Sequence, residues 1–169
     1  LLICDSERPV AVAGVIGGEL AEVSEQTNDV LLESASFERG GVQRTRRRIG
    51  LSTEASMRFE RGVDPEAAPI GADRASRLMV EWCGARALRG IIQVGGPPPR
   101  RRIQLRATRA SALIGYPVST SDAVDVFDRL GIVSETVDDD TILVEVPGYR
   151  VDLEREVDLI EEVVRIQGY

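Results

Sequence analysis

The chain has 169 residues and a formal net charge of −7 at pH 7, and 43% of its residues are hydrophobic but only 4% aromatic. This composition predicts one medium or two small domains with aliphatic cores, and no apolar run approaches the roughly 20 residues that a membrane span needs. The chain contains neither histidine nor lysine, because all 21 of its basic residues are arginines. The absence of both residue types excludes a Ser-His-Asp triad, a Schiff-base lysine and a zinc–histidine site within this sequence.

The opening residues LLICDSERPV carry neither a basic leader nor a cleavage site, so they predict no signal peptide. The two cysteines, Cys4 and Cys83, stand far apart in the chain and match no metal-ligand spacing. We expect both to be small buried hydrophobic side chains in a reducing compartment such as the cytoplasm.

The first three predicted elements are two strands followed by a helix. PVAVAGVIGG (9–18) predicts a strand that runs into a glycine turn, and DVLLESASF (29–37) predicts a second strand. GVQRTRRRIG (41–50) suits a short helix closed by Gly50.

Three further segments follow before the middle of the chain. GLSTEASMRFERGVDP (50–65) has the composition of a polar loop, and DPEAAPIGADRASRLMVEWCG (64–84) predicts the clearest helix of this region. Asp64 is the candidate N-cap of that helix and Gly84 its C-terminal stop. ARALRGIIQV (85–94) predicts a strand.

The prolines of GGPPP (95–99) predict a stiff connector that divides the chain into domains 1–99 and 100–169. The second domain reads as a strand, two helices, a hairpin and a closing helix. The segments are, in order, RIQLR (102–106), ATRASALIG (107–115), SDAVDVFDRLG (121–131), GIVSETVDDDTILVEVP (131–147) and the residues after PGYR (147–150). The candidate caps are Thr108 for the first helix and Ser119, Thr120 or Ser121 for the second. This order predicts a small winged-helix-like module, and the fold class of the whole chain is predicted to be α+β.

The arginines are clustered at RTRRR (44–48) and RRR (100–102). Either cluster can meet phosphates as a local basic patch. The alternative, which the residues alone favour, is that these arginines pair with some of the 28 acidic residues. The negative net charge also argues against general nucleic-acid binding.

The closing helix carries many carboxylates among its aliphatic residues. With the helix starting near Leu153, one apolar stripe holds Leu153, Val157, Ile160 and Val164, and the opposite face holds Glu154, Asp158, Glu161, Glu162 and Arg165. Asp152 is then a candidate N-cap. On the residues alone, a solvated amphipathic face is favoured over a cation site or a partner interface.

Six long motifs occur in one order along the chain. They are GVIGG (14–18), LLESASF (31–37), RTRRRIGLSTEASMRFERGVDP (44–65), LIGYPVS (113–119), FDRLGIVSE (127–135) and VEVPGYRVDLEREVDLIEEVVRIQGY (144–169). This series resembles the beta subunit of bacterial phenylalanine–tRNA ligase over nearly the whole chain. The resemblance implies that residues 1–99 are the C-terminal portion of the domain that edits Tyr-tRNA, and that residues 100–169 are the module that follows it.

The resemblance also implies a function and partners. The family charges tRNA with phenylalanine in a tetramer of two alpha and two beta subunits, and it hydrolyses mischarged Tyr-tRNA(Phe). ATP is used by the alpha subunit and is not expected to bind this chain, whereas tRNA(Phe) and the alpha subunit are the expected partners in the cytoplasm. The alternative is a non-catalytic structural or nucleic-acid-binding module of a larger assembly.

An editing site for tyrosine is needed because a pocket built for phenylalanine rejects one added hydroxyl only roughly a hundredfold. Glu33 matches the family's hydroxyl-reading glutamate, although on its own it reads as a strand-end surface residue. Thr53 and Ala55 match the pocket wall, and Gly14 and Gly17 match glycines of the site that otherwise read as turn residues. No catalytic side chain is predicted with certainty, so the implied reaction is attack by water on the aminoacyl ester.

The resemblance assigns a magnesium ion, shared with the alpha subunit, to four carboxylates of the closing segment. The four are Asp152, Asp158, Glu161 and Glu162. Oxygen ligands suit this hard cation, but Mg²⁺ usually keeps several waters and only one or two carboxylates. We therefore expect the four to form mainly an interface cluster that binds the ion weakly or not at all without the alpha subunit.

Overall fold

The computed structural model describes residues 1–168, and the chain divides into two compact units, Leu1–Pro97 and Pro98–Tyr169. Each unit combines helices with a three-stranded antiparallel sheet, so the predicted α+β class is confirmed. The helices found within residues 1–168 are each too short or too polar to span a membrane.

The first unit opens with a three-stranded antiparallel sheet, in which the strands lie side by side in chain order. Its strands are Leu2–Cys4 (β1), Pro9–Val12 (β2) and Ile16–Gly17 (β3), and a short 3-10 helix, Glu19–Ala21, follows. The predicted strand and glycine turn over residues 9–18 are found here, as β2 and β3.

Three helices follow in the first unit: Arg39–Ile49 (α1), Glu54–Phe59 (α2) and Ala67–Cys83 (α3). Helix α1 begins two residues before its predicted start, because the Glu38 carboxylate accepts hydrogen bonds from the Gly40 and Gly41 N–H groups. Gly50 and Gly84 end α1 and α3 in the left-handed conformation, as predicted.

Two predicted strands of the first unit are wrong. Residues 29–37 and 85–94 form neither strand nor helix, and large apolar side chains in them are exposed, including Leu31 and Ile91. An apolar run becomes a strand only when another strand pairs with it, and neither segment has such a partner in the described residues.

Three smaller expectations for the first unit are also wrong. The segment 50–65, predicted as a loop, contains helix α2, since Thr53 supplies a strong N-cap. Asp64 does not cap α3; its carboxylate accepts the Glu66 N–H in the turn before the helix. Cys4 and Cys83 are exposed rather than buried, because each is the last residue of an element at the surface.

The second unit follows the predicted order of elements. It contains Arg102–Arg106 (β4), Ala107–Ile114 (α4), Thr120–Arg129 (α5), Ser134–Thr136 (β5), Thr141–Glu145 (β6) and Glu156–Gln167 (α6). The sheet order is β4–β6–β5, with Arg102 opposite Glu145 at one end of the central ladder. Alternate side chains of β4 and β6 enter one core, which also holds Phe127, Leu159 and Val163.

The caps of the second unit were predicted in part. Ser119 caps α5 in a capping box with Asp122, and it is one of the three candidates. Thr108 does not cap α4, because its N–H and hydroxyl donate to the Asp140 carboxylate at 2.7 and 2.9 Å. Helix α6 begins at Glu156 with Arg155 as its N-cap, so Asp152 is not the cap either.

Candidate functional site

The Thr53 hydroxyl joins helix α2 to the glycine turn of the first sheet. It accepts the Ser56 N–H at 3.1 Å and donates to the Val15 carbonyl oxygen at 2.5 Å. Ser56 is fully buried, and its hydroxyl donates to the Thr53 carbonyl at 2.9 Å. The start of α2 is therefore fixed against the turn that lies between Gly14 and Gly17.

Gly14 lies where two aromatic rings meet. The rings of Phe37 and Phe59 have centroids 5.1 Å apart, and a Cβ on Gly14 would lie 2.9 Å from the first ring and 3.3 Å from the second. Gly14 also has φ of +67°, which favours glycine. The turn, the end of the 29–37 segment and α2 thus converge at this glycine.

The other predicted residues of the editing site lie on exposed backbone. Gly17 is exposed in β3 with no atom within 4 Å of an added Cβ, and Ala55 is exposed in the first turn of α2. Glu33 is exposed too. The next residue, Ser34, anchors its segment by donating to the Ala68 carbonyl at 2.6 Å. The structure thus brings Gly14 and Thr53 together through Val15, and it leaves Glu33, Gly17 and Ala55 open to solvent.

Sequence reasoning missed three residues of this region. The first is Gly18, treated as a simple turn residue, whose added Cβ would lie 2.9 Å from the Val10 carbonyl oxygen. The others are Phe37 and Phe59, which form the ring pair around Gly14. Their positions were a usable signal, since Phe37 closes the motif LLESASF and Phe59 follows Ala55 by four residues in the next motif.

A cavity of about 510 Å³ lies beside Ala13 and Phe37. Helix α1 supplies its charged wall with Arg44 and Arg48, and Glu38 adds a carboxylate.

Most members of the two arginine clusters have acidic partners, as the residues alone favoured. Arg46 pairs with Glu60 at 3.2 Å, and Arg100 and Arg102 both pair with Glu145 at 3.3 Å. Arg44 pairs with Glu38, and Arg101 donates to the Leu153 carbonyl. The clusters act mainly as ion-pair and hydrogen-bond donors within the chain.

The expected solvated face of the closing helix is wrong for Glu162, which is only 7% exposed. Two arginines compensate its charge: Arg165 donates to it from the next turn, and Arg150 donates to it from the preceding loop at 3.2 Å. These hydrogen bonds, Arg165 first, hold the pKa of Glu162 below its ordinary value although burial opposes this. The predicted apolar stripe is also wrong at Val157, which is 42% exposed.

The other three carboxylates of the predicted magnesium cluster lie in different settings. Arg150 binds Asp152 through two N–H groups at 2.9 and 2.6 Å, which lowers the pKa of Asp152. Asp158 accepts the N–H groups of Glu154 and Arg155 at 2.9 and 2.7 Å; partial burial raises its pKa, but these hydrogen bonds bring it below the ordinary value. Glu161 is exposed.

As arranged here, the four carboxylates do not fit a magnesium ion. Asp152 and Glu162 are bound by arginine, and Asp158 is bound by backbone N–H groups. Over residues 1–168, no three acidic or cysteine side chains are grouped as metal ligands would be. A cation at this position would have to replace existing hydrogen bonds.

The sequence of each unit matches the model of one known domain family. Residues 1–84 match the family model of the B3/4 domain, and residues 103–169 match that of the tRNA synthetase B5 domain. These two domains, in this order, place the chain in the class of aminoacyl-tRNA synthetase subunits.

Similarity along the whole of this chain points to one family within that class. The chain is 45% identical over 172 residues to the phenylalanine–tRNA ligase beta subunit of Moorella thermoacetica and 44% identical over 170 residues to that of Geobacter sulfurreducens. It is 41% identical to that of Geobacter metallireducens. In each case the match covers 100% of this chain and 21% of the relative. The chain belongs to the phenylalanine–tRNA ligase beta-subunit family, and it spans about a fifth of the length of these relatives.

Proposed function

We propose that this chain is a working segment of a phenylalanine–tRNA ligase in the cytoplasm, where it supports charging of tRNA with phenylalanine and hydrolytic editing of Tyr-tRNA(Phe). Phenylalanine activation with ATP belongs to the alpha subunit, with which this segment assembles. The hydrogen bond from Thr53 to Val15 is the observation that supports the editing function. It holds the glycine turn next to the proposed pocket wall.

In the proposed editing site, Glu33 accepts a hydrogen bond from the phenol of tyrosine. Glu33 is exposed in this chain, and a bound substrate would have to bury it. Phenylalanine would then leave the buried acceptor unpaired, at a cost of about 1–3 kcal/mol and more for a charged group. Ala55 leaves room for the aromatic ring because its side chain is a single methyl group. The N–H groups around Gly14 and Gly17 are suited to stabilise charge on the ester as water attacks.

The decisive experiment replaces Glu33 with alanine in an intact ligase that carries this segment. Deacylation of Tyr-tRNA(Phe) relative to Phe-tRNA(Phe) should fall roughly tenfold or more, which is the loss of one hydrogen bond to a charged acceptor. Glu25→Ala, at another exposed loop glutamate, is the matched control and should keep the parental ratio. An unchanged ratio in Glu33→Ala would contradict the assignment of Glu33 as the residue that binds the tyrosine hydroxyl.

The alternative function is a non-catalytic structural or nucleic-acid-binding module, and one feature of the second unit favours the structural form. This unit closes its own aliphatic core, and the acidic partners of its arginines leave an ion-paired surface. Fluorescence anisotropy with labelled tRNA(Phe) tests it on the 169-residue chain. Binding that weakens steeply with salt supports the nucleic-acid module, and no binding leaves the structural role.

The magnesium ion shared with the alpha subunit stays a proposal for the assembled enzyme. Asp152 and Glu161 are the two members of the cluster that lie at the surface, where they can meet a partner, but Asp152 becomes available to the ion only after Arg150 leaves it. Isothermal titration of the assembled enzyme with Mg²⁺, compared with a double variant at these two positions, tests this.

A further inference from the structure

Arg150 lies between two carboxylates that come from different parts of the second unit. Its Nε and Nη2 atoms contact Asp152 at 2.9 and 2.6 Å, and its Nη2 and Nη1 atoms contact Glu162 at 3.1 and 3.2 Å. One guanidinium therefore closes a bridge between the loop before α6 and the middle of that helix.

The bridge is sheltered from water on the helix side. The Arg150 side chain is 19% exposed and that of Glu162 is 9% exposed. A carboxylate with so little access to water needs a positive partner, since an unpaired buried charge is strongly destabilising. The guanidinium of Arg150 supplies this positive partner through its direct hydrogen bonds to both carboxylates.

The loop that carries Arg150 is itself held in place. The Arg150 N–H donates to the Pro147 carbonyl at 3.0 Å, and Leu153 is buried with its carbonyl accepting a hydrogen bond from Arg101 at 2.8 Å. The guanidinium therefore does not depend on a free surface loop for its position.

We propose that Arg150 is the resident cation of the Asp152–Glu162 pair, so that a divalent ion gains these two carboxylates only when the guanidinium is removed. The planar guanidinium supplies several N–H donors in a fixed fork, and here it serves two carboxylates at once. A magnesium ion competes for the same oxygen atoms and must also give up part of its water shell. This inference rests on the contacts of Arg150 alone and does not require the editing function.

The test compares the 169-residue chain with Arg150→Gln, with and without MgCl₂ at constant ionic strength. Arg150→Gln should lower the thermal midpoint of the second unit by at least about 4 °C, with faster amide exchange in residues 156–167. Mg²⁺ should restore a large part of this loss in the variant and leave the parent chain unchanged.

Arg165→Gln is the matched control, because Arg165 donates to Glu162 but does not bridge it to Asp152. It should show no gain of stability from Mg²⁺ beyond that of the parent chain. Equal stabilisation of parent and Arg150→Gln by Mg²⁺ would overturn the proposal, and so would a variant that loses nothing or that Mg²⁺ fails to stabilise.

A second measurement decides the matter even when Arg150→Gln does not fold. The Nε–H resonance of Arg150 reports its contact with Asp152 in the ¹⁵N-labelled parent chain. A signal that Mg²⁺ leaves in place supports the resident guanidinium. A shift that saturates with one equivalent of Mg²⁺ would show that the ion displaces Arg150, and would overturn the proposal.

Discussion

The hydroxyl of Thr53 donates a hydrogen bond to the carbonyl of Val15, which lies 38 positions earlier in the chain. The same oxygen accepts the Ser56 N–H and so caps α2. One atom thus performs a local task and a long-range one, and its removal should disturb both.

Thr53→Val keeps the side-chain shape and removes the hydroxyl. Loss of the cap should cost about 0.5–2 kcal/mol, with faster amide exchange in residues 53–59. Thr53→Ser retains the hydroxyl and should stay close to the parent chain. Equal exchange in the two variants would show that the hydroxyl is not what fixes the start of α2.

Gly14→Ala should destabilise the first unit by roughly 1–3 kcal/mol. The added methyl group meets Phe37 at 2.9 Å and Val42 at 3.0 Å, in a backbone conformation that L-residues disfavour. Gly17→Ala has open space around the new Cβ and is the control, with an expected change within about 0.5 kcal/mol. Urea denaturation, with amide exchange as a second measurement, compares the stabilities of the two variants. Equal stabilities would contradict the crowding at Gly14.

Ala55→Trp, in an intact ligase that carries this segment, should block hydrolysis of Tyr-tRNA(Phe) and leave phenylalanine charging nearly intact. The expectation follows from the proposed pocket wall, since a large ring at Ala55 fills the space that tyrosine needs. The control is Ala87→Trp, at an exposed position outside the helices. Hydrolysis of Tyr-tRNA(Phe) at the parental rate would place Ala55 outside the pocket.

Asp158→Ala should lower the free energy of unfolding of the second unit by about 0.5–2 kcal/mol, because the carboxylate accepts two N–H groups at the start of α6. Glu161→Ala removes an exposed carboxylate three residues later and should change stability by no more than about 0.5 kcal/mol. Chemical denaturation of both variants in the same buffer measures the difference. A neutral Asp158→Ala would mean that its hydrogen bonds do not support the helix.

The second unit should keep its stability from neutral pH down to the ordinary range of carboxyl groups and lose it below. Asp152, Glu156, Asp158 and Glu162 all have lowered pKa values in the folded chain. Groups whose folded pKa is depressed contribute stability above their unfolded pKa, here 3.8 for aspartate and 4.5 for glutamate, and lose it as pH falls through the folded pKa. Urea midpoints measured from pH 7 downward check this, and a midpoint that stays constant to pH 3 would contradict it.

The second unit was predictable from local signals. Gly115 and Gly131 stop predicted helices, Ser119 begins one, and the turn at Asp138–Asp140 marks the hairpin. The first unit was harder, because the segments 29–37 and 85–94 have apolar strand-forming residues but no strand beside them. The strand propensity of a segment does not reveal whether another strand is available to pair with it.

The buried Glu162 was not predictable from helical periodicity. Its main partner outside the helix, Arg150, lies 12 residues earlier in an irregular loop. Periodicity assigns faces from residue polarity alone, so it placed Glu162 toward solvent. Gly14 was identified from a motif, but the reason for glycine there depends on Phe37 and Phe59, which only the folded chain brings together.

The central strand of the second sheet, β6, is the last of its three strands to be synthesised. Strand β4 has no neighbour until β6 exists, since its ladder joins Arg102 to Glu145. Closing that long loop carries an entropy cost that grows as about (3/2)RT ln n, whereas β5 and β6 are joined by a short turn. During translation the hairpin is therefore the local event and the docking of β4 the late one. A nascent chain that pauses before Thr141 leaves Ile103 and Leu105 without the strand that pairs with theirs.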